Sequence, residues 1–323
     1  MSRLLKGRDT YRPFYYEKAY EYWLKQQQAH WLHTEVGMSG DLQDWKFKLT
    51  DAEKSVLGGV LKGFIQAEVV VNEYWSQYVA KWFPHPEIVA MASAFASTET
   101  IHIFGYAHLN DSLGIEDYDA FLDEPAARAK IDRLMGNLDD HGERDLGQIA
   151  RSLAVFSAFT EGVSLFSSFA VLANFSRFGK MMGVSQIIRW SSKDEDLHAE
   201  AGCWLFRTLI EENPHLWTDE LKKDLYDAAR ATVALEDAFI DKVFELGDIE
   251  GLTAYDLKQF VRNRANIQLG DIGLKKNWED LDSDALERMS WFDDLVAGEF
   301  SQDFFAGRVT EYSTVSEDFE DMW

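Results

Sequence analysis

Two copies of the pattern Glu-x-x-His occur in this chain of 323 residues, at Glu99–His102 and at Glu195–His198. A solitary Glu in an apolar stretch precedes each copy, Glu68 before the first and Glu161 before the second. The i, i+3 spacing puts carboxylate and imidazole on one face of a helix. One Glu from each of two helices and a Glu-x-x-His from each of two others are the ligands of a dinuclear metal site inside a four-helix bundle. The pattern therefore predicts an all-α chain with two metal ions in its core.

The surroundings of these two copies separate them from chance matches. Eight histidines would meet a Glu three residues upstream about 0.6 times at random, so one copy alone has little weight. A third copy, Glu212–His215, contains Pro214, which breaks a helix, and we predict a helix end there with a solvated His. By contrast, Glu161 is the only charged residue between Ser152 and Ser176.

Carboxylates in such apolar surroundings need compensating charge. An uncompensated buried carboxylate costs several kcal/mol, enough to unfold a marginal domain or to force protonation. Four of them at one point need about four positive charges, which two divalent cations provide, with two imidazoles as neutral donors. The alternative interpretation is that each Glu pairs with a buried Arg or Lys, or lies on a wet helix face.

Helix signals along the chain predict a bundle of long helices. A capping box at Thr50–Glu53 opens the first ligand helix, and Pro86 can begin the second. The ligand helices are predicted to cover about 50–83, 86–111, 146–174 and 183–213, with further helices at about 218–247 and from 253 onward. We predict one helical domain over 1–305 and a flexible acidic tail over 306–323.

Composition and charge exclude several classes of partner. The net charge of −24 disfavours nucleic acid and anionic membranes. The stretch 152–176 is long enough to span a membrane, but its recurring serines, its central Glu161 and its flanks argue against a span. The first residues lack the apolar region of a secretory signal. A single cysteine, Cys203, rules out an internal disulfide, so a cytoplasmic protein is expected.

Two segments resemble the small, radical-generating (beta) subunit of class I ribonucleotide reductase, and the match covers nearly the whole chain. Residues 97–106 look like the family's Glu-x-x-His-x-x-x-Tyr segment, and 193–198 look like its Asp-Glu-x-x-His segment. The resemblance implies a ferritin-like bundle in which Tyr106 occupies the position of the family's radical tyrosine. It also implies the metal ligands, which are Glu68, Glu99, His102, Glu161, Glu195 and His198.

The resemblance further implies a route for the oxidant out of the bundle. Residues 26–41 are similar to the segment with the radical-transfer tryptophan, here Trp31, and Asp194 takes the place of the Asp that joins this Trp to His102. Tyr312 in the tail corresponds to the tyrosine that passes the oxidant to the large (alpha) subunit. The tail, with Phe319 and Trp323 among acids, is expected to dock on that subunit. A homodimer is expected as well.

Cys203 alone cannot supply the thiyl radical and the redox-active cysteine pair that this family uses, so substrate chemistry is predicted to lie on the partner. Many family members have Asp where Glu68 stands. Glu in that place with Tyr106 retained looks like subclass Id, in which a dimanganese centre, Mn(III)/Mn(IV) when oxidised, holds the oxidant itself. Di-iron and manganese–iron centres remain the alternatives, because N and O donors suit both metals.

The expected surroundings of Tyr106 include apolar Leu165 and Phe169, with Ser191 and Ser192 adding polarity that favours a metal-centred oxidant. The activating oxidant, dioxygen or superoxide, and the need for a flavoprotein stay open. Two rival functions share the ligand set: a ferritin-like two-metal oxidase without a reductase partner, and a metal-storage bundle. The oxidase would not need Trp31, Asp194 and an aromatic acidic tail. Storage proteins of this fold are generally far shorter, and a buried six-ligand site with a nearby tyrosine is costly for storage, so the reductase subunit is the favoured function.

Overall fold

The computed structural model of the protein describes residues 3–116, 122–136 and 145–298, which are helical and contain no strand beyond an isolated bridge between Ile249 and Leu252. The predicted tail, with Tyr312, Phe319 and Trp323, lies outside these residues. The helices are α1 (Glu17–Gln28), α2 (Ser39–Phe47), α3 (Asp51–Glu73), α4 (Ala80–Trp82), α5 (Pro86–Leu113), α6 (Pro125–Gly136), α7 (Leu146–Ala154), α8 (Leu165–Asn174), α9 (Met182–Glu212), α10 (Asp219–Val243), α11 (Ala254–Asp271) and α12 (Ser283–Gly298).

The helix boundaries follow local capping chemistry. Thr50 and Glu53 form the predicted capping box, each side chain bonding the other residue's backbone N–H. Pro86 stands at the first turn of α5, where its missing N–H costs nothing, and Gly114 ends that helix with a left-handed φ of 67°. The four predicted ligand helices are therefore present, and α9 stops at Glu212 ahead of Pro214 as expected.

Two wide π-helical segments interrupt the helices that carry the solitary Glu residues. Tyr74–Val79 follows α3 directly, and Val155–Ser164 joins α7 to α8 and contains Glu161. The sequence pattern did not predict them, because a π turn and an α turn draw on the same apolar residues. Such segments occur frequently at functional sites.

The bundle core lies between α3, α5, the α7–α8 segment and α9. Helix α3 packs on α5, the π segment Val155–Ser164 packs on α9 and α11, and α1 lies across α5. Every residue from Ser152 to Phe175 is buried, so this stretch, in which Glu161 is the only charged residue, lies inside the molecule. This arrangement puts the centres of four long helices side by side, with Glu161 among them.

Among the residues that the structure describes, two helices could cross a membrane by length and composition alone: Pro86–Leu113, with 56% of its apolar stretch buried, and Leu146–Phe178, with 100% buried. A core helix of a bundle has the same composition, because it too is surrounded by apolar side chains. Burial inside the bundle therefore accounts for the apolar stretch around Glu161.

Substitution of Gly202 should test the close approach of α9 to the π segment. A Cβ at position 202 would overlap the Cβ and Oγ of Ser157. We expect Gly202→Ala to lower the free energy of unfolding by about 1–3 kcal/mol, measured by urea denaturation. Gly58→Ala is the matched control: it lies inside α3, its nearest new contact is Trp45 at 3.6 Å, and a neutral or slightly stabilising effect is expected. Equal stability of both variants would contradict this packing.

Candidate metal centre

The four core helices bring six side chains to one place. Glu68 comes from α3, Glu99 and His102 from α5, Glu161 from the π segment, and Glu195 and His198 from α9. The six residues are all fully buried. The i, i+3 spacing on α5 and α9 directs carboxylate and imidazole to the same point from opposite sides of the bundle.

Within this cluster, two groups of four potential ligands overlap. The first contains Glu68, Glu99, His102 and Glu195; the second contains Glu99, Glu161, Glu195 and His198. In each group the ligand atoms all lie within 4.8 Å of one another. Glu99 and Glu195 belong to both groups, so each carboxylate can place one oxygen toward either position. The geometry suits two cations held side by side and bridged by carboxylates.

The polar atoms of the cluster lack protein partners that would satisfy them. Both oxygens of Glu68 and of Glu195 are buried without a hydrogen bond, as are Glu99 Oε1, Glu161 Oε2 and His198 Nδ1. In the described part of the chain, Glu68, Glu99 and Glu195 form ion pairs with His102 and His198 alone, and Glu161 accepts a hydrogen bond from Trp75. No Arg or Lys there replaces the metal, so the donor set fits a pair of divalent cations.

The pKa values show how strongly the cluster needs positive charge. Burial raises the pKa of Glu68 and Glu161 well above the usual value, and the charge of Glu195 adds to the effect. Burial also raises the pKa of Glu99, but the charges of His198 and His102 outweigh it and lower that pKa. Burial lowers the pKa of both imidazoles, yet the surrounding acidic groups raise it further than burial lowers it. Protons and cations therefore compete for the same oxygens.

Two outer side chains fix the orientation of the imidazoles. Asp194 Oδ2 accepts from His102 Nε2 at 3.2 Å, and Gln26 Oε1 accepts from His198 Nε2 at 3.0 Å. Each acceptor fixes the tautomer in which Nδ1 keeps its lone pair, and Nδ1 is the atom that faces the carboxylates. Gln26 Nε2 also donates to Asp194 Oδ1 at 2.8 Å, so the two outer groups support each other.

Trp31 lies on the Asp194 side of the cluster. Its indole Nε1 donates to Asp194 Oδ2 at 2.8 Å, and its ring stacks on His102 with centroids 5.8 Å apart. The structure thus places Asp194 between Trp31 and His102, in the arrangement that the resemblance implies. Their role in radical transfer stays a prediction.

Tyr106 lies one turn beyond His102 and is completely buried. Burial, together with the negative charge of Glu68, raises the pKa of its hydroxyl well above the usual value. Phe64 contacts Tyr106, with ring centroids 4.7 Å apart, and Phe169, with centroids 5.1 Å apart.

Ser191 supplies polarity next to Tyr106, as the sequence suggested, because its side chain reaches the Tyr106 hydroxyl and lowers the pKa of that group against the effect of burial. Ser191 Oγ donates to the backbone oxygen of Ile187, and Ser192 Oγ donates to that of Arg189. Both hydroxyl protons are therefore directed along their own helix, as buried helical serines commonly are. Leu165 lies in the same apolar core as Phe64 and Phe169. The pocket of Tyr106 therefore combines apolar side chains with the hydroxyl of Ser191.

Sequence reasoning missed two residues of the site. Gln26 stands in the polar run 26–28, where nothing distinguishes it from a surface residue, yet it is 4% exposed. Trp75 donates its indole N–H to Glu161 Oε1 at 2.6 Å, and its place in an apolar stretch made it look like an ordinary core residue.

The third Glu-x-x-His copy, Glu212–His215, lies apart from the cluster, as predicted. Glu212 accepts hydrogen bonds from Leu4 N and Tyr16 Oη, and His215 is exposed.

Fold and site together define a ferritin-like helical bundle with a dinuclear centre in its core. Residues 8–284 match the family model for the ribonucleotide reductase small chain. A probable ribonucleoside-diphosphate reductase small subunit of Invertebrate iridescent virus 3 is 35% identical over 97% of this chain and 86% of its own length. The chain belongs to the small-subunit family of class I ribonucleotide reductases.

Solved structures agree with the fold. The ribonucleotide reductase R2 subunit of Clostridium botulinum aligns with a TM-score of 0.80 over 92% of this chain and 98% of that one, at 19% identity. The dimanganese(II)-NrdF of Streptococcus sanguinis aligns with a TM-score of 0.73 over 88% of this chain and 99% of that one, also at 19% identity. The chain acts as the beta subunit of a ribonucleoside-diphosphate reductase, and the oxidase without a reductase partner is not favoured.

Exchange of one buried carboxylate for an amide should separate metal binding from folding. We expect Glu161→Gln to raise the stability of the metal-free protein, because it removes a buried carboxylate that pairs with no Arg or Lys among the described residues, and to lower the divalent metal bound after loading below two ions per chain. Helix content by circular dichroism should not change. Metal analysis and urea denaturation measure the two effects.

Glu236→Gln provides the matched control. Glu236 is also fully buried, but Lys130 Nζ lies 2.9 Å from one oxygen and Ser167 Oγ donates to the other at 2.6 Å. We expect this variant to lose about 1–3 kcal/mol of stability and to keep its full metal content. Equal responses of the two variants would contradict the assignment of Glu161 to the centre.

Proposed function

We propose that the chain holds two manganese ions through Glu68, Glu99, His102, Glu161, Glu195 and His198. The observation that carries this proposal is the pair of ligand groups that overlap at Glu99 and Glu195. When bound, the metal pair supplies the one-electron oxidant that starts ribonucleotide reduction on the large subunit. The protein's own contribution is to bind the ions, to orient the imidazoles and to exclude water from six completely buried ligands.

The exit of the oxidant is proposed to run through His102, Asp194 and Trp31. The contacts of 3.2 Å and 2.8 Å make a continuous hydrogen-bonded path, and Asp194 can accept the indole proton when Trp31 loses an electron. Trp31 is 4% exposed and contacts Trp190 at 5.3 Å, so the path continues toward the outside through a second ring. A two-metal protein without a reductase partner would have no use for this path.

Manganese is proposed on the basis of Glu68 and Tyr106. Glu at the first ligand position with the tyrosine retained is typical of the subclass that the sequence resembles, with Mn(III)/Mn(IV) as the oxidised state. The protein from Streptococcus sanguinis with a similar fold is a dimanganese(II) protein, which supports the choice without deciding it. Glu68 carries most of the argument for a metal-centred oxidant, and the Ser191 side chain beside the Tyr106 hydroxyl supports it.

Delivery to the large subunit is proposed to use the tail 306–323. Its acidic residues surround Phe319 and Trp323, which would enter apolar grooves on the partner, and Tyr312 would then meet the partner's acceptor.

The chain is also proposed to form a homodimer, supported by the exposed apolar residues Val69 on α3 and Phe104 on α5. A cytoplasmic location is proposed, since the one cysteine offers no disulfide.

Reconstitution should identify the metal and the site of the oxidant. We expect loading with Mn(II), followed by superoxide or dioxygen, to give an oxidised manganese signal in electron paramagnetic resonance and to support nucleotide reduction. Tyr106→Phe should keep that activity, because the oxidant is metal-centred. A stable tyrosyl signal with full activity after loading with Fe(II) and dioxygen would contradict the manganese assignment. Loss of activity in Tyr106→Phe with normal metal content would indicate a tyrosyl radical instead.

Two changes in the tail should separate docking from electron transfer. Truncation after Ser316 removes Phe319 and Trp323, so it should weaken binding to the large subunit in a titration. Tyr312→Phe should bind almost normally and lose nucleotide reduction, since phenylalanine is much harder to oxidise than tyrosine. An undiminished rate in Tyr312→Phe would disprove this route.

A further inference from the structure

A second set of oxidisable side chains starts at the opposite end of the metal centre from Trp31. Trp75 is fully buried, donates its indole N–H to Glu161 Oε1 at 2.6 Å and lies 6.0 Å from the ring of His198. Glu161 and His198 belong to the second ligand group alone, whereas Trp31 and Asp194 adjoin His102, which belongs to the first. Each metal position therefore has its own tryptophan.

From Trp75 the oxidisable rings continue to the protein surface. The Tyr74 ring lies 5.1 Å from Trp75, and the Trp82 ring lies 6.3 Å from Tyr74. Trp82 is half-buried at the end of α4, beside exposed Lys81. Tryptophan and tyrosine are the two aromatic side chains that lose an electron most readily. The series Trp75, Tyr74 and Trp82, which we name the α4 chain, thus connects Glu161 with solvent by ring contacts.

The π segment that begins at Tyr74 is what aligns these rings. Neighbouring residues of an α-helix point in different directions, yet Tyr74 and Trp75 meet edge to face. Tyr74 also stacks on Phe156 with centroids 4.4 Å apart and planes 8° from parallel, and its hydroxyl lies 3.4 Å from Ser157 Oγ. Both partners belong to the other π segment. The ring of Tyr74 is therefore fixed between two widened helical turns.

We propose that the α4 chain is a second electron route, by which a one-electron reductant at the surface returns the oxidised centre to its reduced state. The proposal rests on the function proposed above. Trp75 would give one electron to the oxidised centre while its indole proton moves along the hydrogen bond to Glu161. When Tyr74 reduces Trp75, that proton returns from Glu161 to the indole; the Tyr74 phenol proton shifts toward Ser157 Oγ, 3.4 Å away, and returns when Trp82 reduces Tyr74. The external reductant then reduces Trp82, so that in total the reductant loses one electron, the centre gains one, and the rings and their protons are unchanged.

The two routes then serve different purposes. The Trp31 route carries the oxidant to the large subunit, and the α4 chain lets electrons in when the oxidant must be renewed or discharged. Tyr74 and Trp82 are not among the six potential ligands, so their substitution can slow electron entry without removing a metal ligand. That separation makes the proposal testable apart from the identity of the metal.

The first test measures reduction of the oxidised centre by reduced methyl viologen in stopped-flow experiments, with the oxidised metal signal as the readout. Tyr74→Phe and Trp82→Phe keep ring packing but remove an oxidisable group. We expect each to slow the reduction by about tenfold, with unchanged metal content, because one hop must then span two ring contacts. Trp217→Phe, a tryptophan remote from the centre, should reduce at the wild-type rate. Wild-type rates in both chain variants would overturn the proposal.

The second test does not depend on the oxidised centre. A ruthenium photosensitiser attached at position 81 of a Lys81→Cys protein, where Cys203 is buried and inert to labelling, would oxidise Trp82 after a flash. We expect a tyrosyl radical from Tyr74 in electron paramagnetic resonance and its loss in Tyr74→Phe. Absence of that radical would overturn the route even if metal loading succeeds. A radical with no oxidised centre after loading would keep the route and refute the proposed function.

Discussion

The mutual repulsion and poor solvation of four buried carboxylates is the constraint on which the rest of this structure depends. Glu68, Glu99, Glu161 and Glu195 occupy the middle of the bundle, and within the described ranges His102 and His198 are the only residues that form ion pairs with any of them. Such a cluster is unfavourable unless cations hold it, so the fold must be stable enough elsewhere to tolerate it. The extensive aromatic and aliphatic core around the cluster provides that stability. The cluster that metal binding requires therefore destabilises the fold, and bound cations would remove that destabilisation.

The side chains around the cluster hold the buried ligands in place. Asp194 and Gln26 accept from the outer nitrogens of the histidines, and Trp75 donates to Glu161, so the six ligands have limited freedom to rotate. Arg264 Nε donates to the backbone oxygen of Gly162, next to Glu161, and fixes the π segment from the side of α11. The buried pair of Glu236 and Lys130 shows the contrasting solution, in which a protein cation replaces the metal.

Sequence alone predicted those parts of the molecule that local spacing determines. The four ligand helices, their caps at Thr50 and Pro86, and the convergence of six ligands follow from periodicity and from the repeated Glu-x-x-His. Gln26 and Trp75 could not be predicted, because each acts through a residue more than 80 positions away and shows no local pattern. The sequence did not predict the direction of the Ser191 hydroxyl group either, because that direction depends on its hydrogen bond to the backbone oxygen of Ile187.

The π segment of Val155–Ser164 has a consequence for the alignment of the Glu161 helix with its neighbours. One residue turns an α-helix by about 100°, so an extra residue would ordinarily rotate everything after it away from the bundle axis. A wider turn absorbs the extra residue and lets α7 and α8 both keep their apolar sides toward α9. The number of residues in this segment therefore determines the direction, about the helix axis, in which Glu161 points toward the other five ligands. The identity of those residues matters less.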